Sequence, residues 1–446
     1  MCKQRVRFSV RYHCCSARGQ TYLSMSSKSV PGHARLAPLL AGLAMLGPFS
    51  IDTMFPAFPQ IGAEFGANSL AVQQTLSAYL GAYALMSLVH GPLSDTFGRR
   101  RVIIGGLLIF LLASIGCALA PTLPVLLAFR LLQGASAGVG MIVGRAIVRD
   151  CYAGADAQRL MSNITMMFSI APALAPIIGG WVLGLAGWHA IFWFLTLFAS
   201  VILLTSFALL PETHAHEHRV GISPRGLVRT YGEILRDPSF QPLALSGAFN
   251  FGALFLYISS APAYVFGLLH LDEHSFGWLF VPAIGGMLFG AVLSGRMAGR
   301  VSAERTVRIG YQLMLLAATL SIVFALFSPL PMLPWSVLLI GFGAIGISLC
   351  SPTITLLILD RFPRYRGAAS SMQAVVSLLY CTLLAGVISP LISGSALWLA
   401  IGAATQTVLG FVTWLWFLRV GKRELDAHSC ASADTVAMEE EAEPQA

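Results

Sequence analysis

Charge is what this sequence has least of. Asp, Glu, Lys and Arg make up 11% of its 446 residues, and 56% are hydrophobic. Soluble domains carry roughly 25% charged residues. A chain with half that charge and a mean hydropathy of +0.74 cannot cover a water-facing surface. That excludes a string of soluble domains of about 150 residues each, and it excludes a disordered chain. The eight cysteines (Cys2, Cys14, Cys15, Cys117, Cys151, Cys350, Cys381, Cys430) show no CxxC spacing, which fits neither a metal site nor a disulfide framework. The first residues hold no apolar core followed by a cleavage site. They are expected to form a cytoplasmic leader rather than a signal peptide, with Met25 as an alternative start.

What is present is a series of apolar runs. A spanning helix needs roughly 20 mostly apolar residues. Twelve stretches qualify, at 36–58, 70–90, 102–120, 123–144, 160–184, 188–210, 242–266, 275–295, 309–328, 332–357, 367–390 and 394–418. The loops between them alternate. One set holds Arg99, Arg100 and Arg101; Arg145 and Arg149; Arg219, Arg225, Arg229 and Arg236; Arg296, Arg300, Arg305 and Arg308; Arg361, Arg364 and Arg366. The other set (59–69, 121–122, 185–187, 267–274, 329–331, 391–393) holds no Lys or Arg. Basic residues mark the cytoplasmic side of a membrane protein, so both tails are expected there, and the lipid bilayer is the first partner. The formal net charge of +8 is thereby explained by topology, and no nucleic-acid partner is expected.

The connection 211–241 is polar, and Pro211, Pro224 and Pro238 are expected to break any long helix in it. It divides the chain into a leader (1–35), a first six-helix bundle (36–210), this linker, a second six-helix bundle (242–418) and a tail (419–446). The tail ends in Glu439, Glu440, Glu441 and Glu443 and reads as solvated and disordered. The halves echo each other: Pro56-Ala57-Phe58 against Pro262-Ala263-Tyr264, and Gly98-Arg99 against Gly299-Arg300. Parallel six-span repeats are a transporter architecture. The fold class expected is all-α, with twelve transmembrane helices in two bundles.

Only Asp52 and Arg130 bring charge well inside the spans. A charge at the bilayer centre costs roughly 3 kcal/mol on insertion scales, so such residues usually face a water-filled cavity. Asp52 can gain and lose a proton there. Arg130 stays protonated and can attract an anionic group or hold water. An ion pair tying spans one and four together is the purely structural alternative, although buried pairs seldom repay their desolvation. The loop GPLSDTFGRRR (91–101) offers Gly91 and Gly98 for a sharp reversal, Asp95 as a helix cap or partner for arginine, and an arginine run for anionic headgroups.

This loop resembles the signature between spans two and three of the major facilitator superfamily, at Gly91, Leu93, Ser94, Asp95, Gly98, Arg99 and Arg100. The resemblance implies a conformational latch. LAFRLLQGASAG (127–138) is similar to the fourth-span signature of drug:proton antiporters, with Arg130, Gln133, Gly134 and Gly138 in place. APALAPIIGGW (171–181) is similar to the fifth-span antiporter motif in its Bcr/CflA form, with Pro172, Pro176, Gly179 and Gly180. Asp52-Thr53-x-x-Pro56-Ala57, Arg149-Asp150 and Pro211-Glu212-Thr213 resemble the same branch. Where some relatives carry a second carboxylate two turns before the Asp, this chain has Ala44. The resemblance implies proton-coupled export of small amphipathic drugs, such as chloramphenicol- or bicyclomycin-like compounds, by alternating access. It further implies a monomer in the bacterial inner membrane, with the proton as coupling ion and no cofactor.

Tyr79, Tyr83, Asn250, Phe251, Phe255 and Tyr257 are possible cavity residues, since aromatic walls with polar tips suit amphipathic ligands. Core or lipid-facing packing is the alternative for each. Other patterns carry less. His90 and Asp95 form an HxxxxD, and Gly341, Gly343 and Gly346 form a GxGxxG inside a span, where close helix packing accounts for it. His214, His216 and His218 alternate in the linker, and Asn163-Ile164-Thr165 is a sequon on the cytoplasmic side. No catalytic constellation is visible, so an enzyme is not expected. A proton-coupled nutrient importer and a polytopic membrane enzyme or receptor are the alternatives.

Overall fold

The computed structural model describes residues 33–152, 154–213, 224–298, 300–328, 330–362 and 365–441. Among them every regular element is helical: α1 His33–Asp52, α2 Phe58–Phe65, α3 Ser69–Phe97, α4 Arg99–Ala118, α5 Leu123–Cys151, α6 Gly154–Leu209, α7 Pro224–Arg236, α8 Phe240–Ser259, α9 Gly277–Met297, α10 Ala303–Phe327, α11 Trp335–Arg361, α12 Arg366–Leu383, α13 Ser389–Ile392 and α14 Ala396–Glu441. Short irregular turns interrupt them: a 3₁₀ turn at Phe55–Ala57 and π-turns at Ala263–Leu268 and Leu384–Ile388. The Pro-Ala repeat of the sequence thus marks equivalent departures from α-geometry after the first helix of each half. Gly299 of the second repeat and His214, His216 and His218 lie outside the described residues.

Among the described residues, ten helices are long and apolar enough to cross a membrane. One of these, α6, bends at Ala186 and Gly187, where Gly187 takes φ 75°, and so makes two passes. Helix α3 is 29 residues long but polar near its start, where Gln73 and Gln74 reach the opposite half. Counting these passes is consistent with twelve crossings. Large side chains within the spans, such as Leu197, Phe289 and Phe327, are exposed on the outside, as a lipid-facing belt requires. This is a multi-pass membrane protein.

Local chemistry sets the helix limits. The Asn68 side chain accepts from the Ala71 backbone N–H at 2.9 Å and starts α3. Asp237 accepts from the N–H groups of Ser239 (2.8 Å) and Phe240 (3.1 Å) and starts α8, while its other oxygen meets Arg361 at 3.4 Å. Pro224 does not break the linker. It opens the amphipathic α7, because proline's fixed φ suits the first helical position. Tyr231 of α7 donates to the Leu88 carbonyl of α3 at 3.0 Å. The tail also departs from expectation: α14 continues to Glu441, in a stretch rich in Ala and Glu, which favour helix.

Helices α1, α3, α4, α5 and α6 pack on one another, as do α8 to α12 with α14, and the halves meet through α3 with α12 and α6 with α9. Several direct links lie near the arginine-free face. Gln73 donates to the Ser259 carbonyl at 2.8 Å, and Gln74 to the Gly386 carbonyl at 3.0 Å. The rings of Phe55 and Phe280 stack with centroids 6.3 Å apart.

Candidate functional site: a buried arginine, a buried aspartate and an arginine-centred hub

Arg130 is the eighth residue of α5 and is wholly buried. Its Nη1 donates to the Ser50 carbonyl at 3.0 Å and to Gln133 Oε1 at 2.5 Å, and its Nε to the Thr75 carbonyl at 3.4 Å. The guanidinium sits 4.4 Å from the centroid of the Tyr79 ring. Gln133 is held in turn, donating to Ser114 at 2.8 Å. Carbonyl dipoles and a π-face therefore stabilise the cation, roles that suit a planar guanidinium.

Asp52, the last residue of α1, is 4% exposed. No ion pair joins it to Arg130 among the described residues, so the interhelical salt bridge is not formed here. The reason is register: Arg130 spends its donors on Ser50, two residues earlier on α1. Ser50 donates to the Tyr79 hydroxyl at 2.6 Å. Ser50, Tyr79 and Arg130 thus form one buried polar cluster spanning α1, α3 and α5, and Asp52 follows Ser50 by two residues at the end of α1.

The expected latch forms a hub around Arg99. Gly91 is not part of the turn: α3 stays helical to Phe97, and Gly98 alone reverses the chain, at φ 96°. Arg99 bonds Ser94 at 2.5 Å and Asp95 from α3, and its Nε meets Asp150 of α5 at 3.0 Å. The start of α4 is capped by Glu212, which accepts from the Arg99 N–H at 2.8 Å. Asp95 pairs with arginine rather than capping. Arg100 donates to the Phe207 carbonyl at 2.7 Å and sits 5.2 Å from that ring, so it faces the C-terminal turn of α6, the negative end of its dipole, and not a headgroup. His90 and Asp95 do not form a pair, since His90 is buried beside Gly138 of α5.

Pro172, Pro176, Gly179 and Gly180 lie along the first limb of α6. A Cβ at Gly179 would collide with the Thr53 carbonyl, and one at Gly180 with the Glu273 carbonyl of the other half. This limb therefore packs backbone to backbone between the end of α1 and the α8–α9 connection. Gly134 meets the Tyr79 carbonyl in the same way.

The possible cavity residues do not surround one space. Tyr79 and Tyr83 make an edge-on pair at 6.3 Å beside Arg130. Asn250 is buried and donates to the Ile347 carbonyl (3.1 Å) and Ser351 (2.9 Å). Phe251 and Phe255 meet each other at 5.8 Å, and Tyr257 packs edge-on against Tyr264 at 6.1 Å. Gln73 and Gln74 escaped the sequence reading. Two adjacent amides in a span require partners, and that requirement was the available signal.

Residues 40–390 match the model of the Major Facilitator Superfamily. The chain is 34% identical over 362 residues to an uncharacterized MFS-type transporter, YdgK, of Bacillus subtilis, covering 80% of this chain and 88% of that one. It is 27% identical to a bicyclomycin resistance protein homolog of Haemophilus influenzae (74% and 82% covered). It is 30% identical to a chloramphenicol resistance protein of Pseudomonas aeruginosa (66% and 70% covered). Among solved structures, the human organic anion transporter MFSD10 (TETRAN) superposes with a TM-score of 0.64 at 19% identity, over 87% of this chain and all of that one. That likeness speaks to the fold alone.

Proposed function

The chain belongs to the major facilitator superfamily, and from that premise we propose that it is a drug efflux transporter that exports small amphipathic compounds in exchange for protons. Relatives carrying the names of bicyclomycin and chloramphenicol resistance support the export of drugs. The observation that supports proton coupling is a buried carboxylate with no ion-pair partner among the described residues, two residues along α1 from the Ser50 carbonyl that holds a buried arginine. The reading places the chain in the bacterial inner membrane as a monomer, with both termini cytoplasmic and no cofactor. It assigns no enzymatic activity.

In the proposed cycle a proton enters from the arginine-free face and neutralises Asp52. The change acts on the end of α1, and through Ser50 on the bonds to Arg130 and Tyr79. Since Gly179 of α6 packs on Thr53, a shift of that end moves the fifth crossing and the contact it makes with the other half. The Arg99 hub would hold the cytoplasmic ends of α3, α4, α5 and α6 together as a rigid body. The driving force is adequate: each proton contributes about 1.4 kcal/mol per pH unit and about 2.3 kcal/mol per 100 mV. A resistance panel in an efflux-deficient bacterium, with and without an uncoupler, tests the reading. Raised resistance abolished by the uncoupler is expected, and resistance to no compound would refute it.

A further inference from the structure

Between the halves, on the arginine-free face, lies a cavity of about 490 Å³. One wall is α2 with the start of α3, including Phe58, Ala63 and Gln73. The other is the end of α8, the first π-turn and α13, including Ser259, Phe266 and Ser389. Among its lining residues, Gln73 joins the halves through the Ser259 carbonyl, and beside it, within the second half, the Ser260 and Ser389 hydroxyls bond at 2.7 Å. No ionisable side chain lines the cavity.

These features define a ligand. The volume falls in the range of small-molecule pockets, about 300–1,000 Å³. An ion would find no counter-charge. Phe58 and Phe266 offer aromatic faces. The Gln73 amide spends an N–H on the other half, and its oxygen accepts no hydrogen bond among the described residues. A purely apolar occupant would waste that acceptor and the serine hydroxyls around it. The geometry points to a second binding site here, separate from Asp52 and the Arg130 cluster, for a small uncharged molecule that has an apolar face and hydroxyl or amide groups. Because both halves contribute a wall, the occupant binds the joined arrangement and loses a wall when the halves part. It therefore holds this face shut, since a ligand shifts an equilibrium by its differential affinity for the two states. This consequence rests on the export reading: product accumulating on this face would slow further turnover.

The test uses full-length protein in liposomes, with chloramphenicol as a neutral probe bearing hydroxyl and amide groups. A Ser393→Cys variant reports on the cavity rim through labelling by a membrane-impermeant maleimide. Chloramphenicol should slow that labelling at least fivefold. Ala63→Trp, which fills the first wall, should remove the protection. So should Gly267→Trp on the second wall, where an added side chain meets open space. Absent protection, or protection that survives both tryptophans, overturns the site. The two readings fail separately. Protection in a protein that exports no compound of the resistance panel would sink the export reading and leave the site, whereas export without protection would sink the site alone.

Discussion

Gln73 and Gln74 should set how tightly the arginine-free face is held shut. Each donates to a carbonyl that irregular backbone leaves free: Ser259 ends α8, and Gly386 lies in a π-turn. Leucine at both positions keeps volume and removes both donors. A net hydrogen bond contributes about 1 kcal/mol, and a buried acceptor left unpaired adds to the loss. Two bonds give roughly 2 kcal/mol, or about a 30-fold shift toward the parted state at about 1.4 kcal/mol per decade. Ser77, one turn deeper and facing Gly386, reports on this. The rate at which a Ser77→Cys variant reacts with an impermeant maleimide tracks the parted fraction. It should rise roughly 30-fold in the double-leucine background and about fivefold in either single variant. A rate unchanged by both leucines would refute the reasoning, because these bonds would then contribute nothing to closure.

Three further outcomes follow from the geometry. Arg99→Ala leaves the partly exposed Asp95 and Asp150 without their cation and should cost about 1–2 kcal/mol, read as a lower unfolding temperature in detergent. Gly179→Leu forces α6 away from the Thr53 carbonyl and should abolish export while the protein still reaches the membrane, measured by immunoblot beside a drug-accumulation assay. Arg130→Lys keeps the charge but cannot reach Ser50, Thr75 and Gln133 together; export should fall at least tenfold in initial rate, and an unchanged rate would show that charge alone suffices.

The crossings were legible because lipid demands long apolar runs. The latch was legible as a motif but not as an object. Asp150 and Glu212 stand 51 and 113 residues from Arg99, and only the fold brings them to it. Gly91 looked like part of a turn because glycine is common in turns, yet helical hydrogen bonding carries through it to Gly98. Arg130 and Asp52 were found by their cost in the membrane, but cost does not reveal partners, and the arginine took carbonyls instead of the carboxylate. The six possible cavity residues scatter because aromatic content alone does not distinguish a cavity wall from core.

The central claim is that Asp52 carries the coupled proton, and transport in liposomes under an imposed pH gradient tests it most directly. Wild-type protein should accumulate drug uphill. Asp52→Asn should lose uphill accumulation while retaining downhill drug exchange, with an unfolding temperature near that of wild type. Undiminished uphill transport by Asp52→Asn would contradict the account.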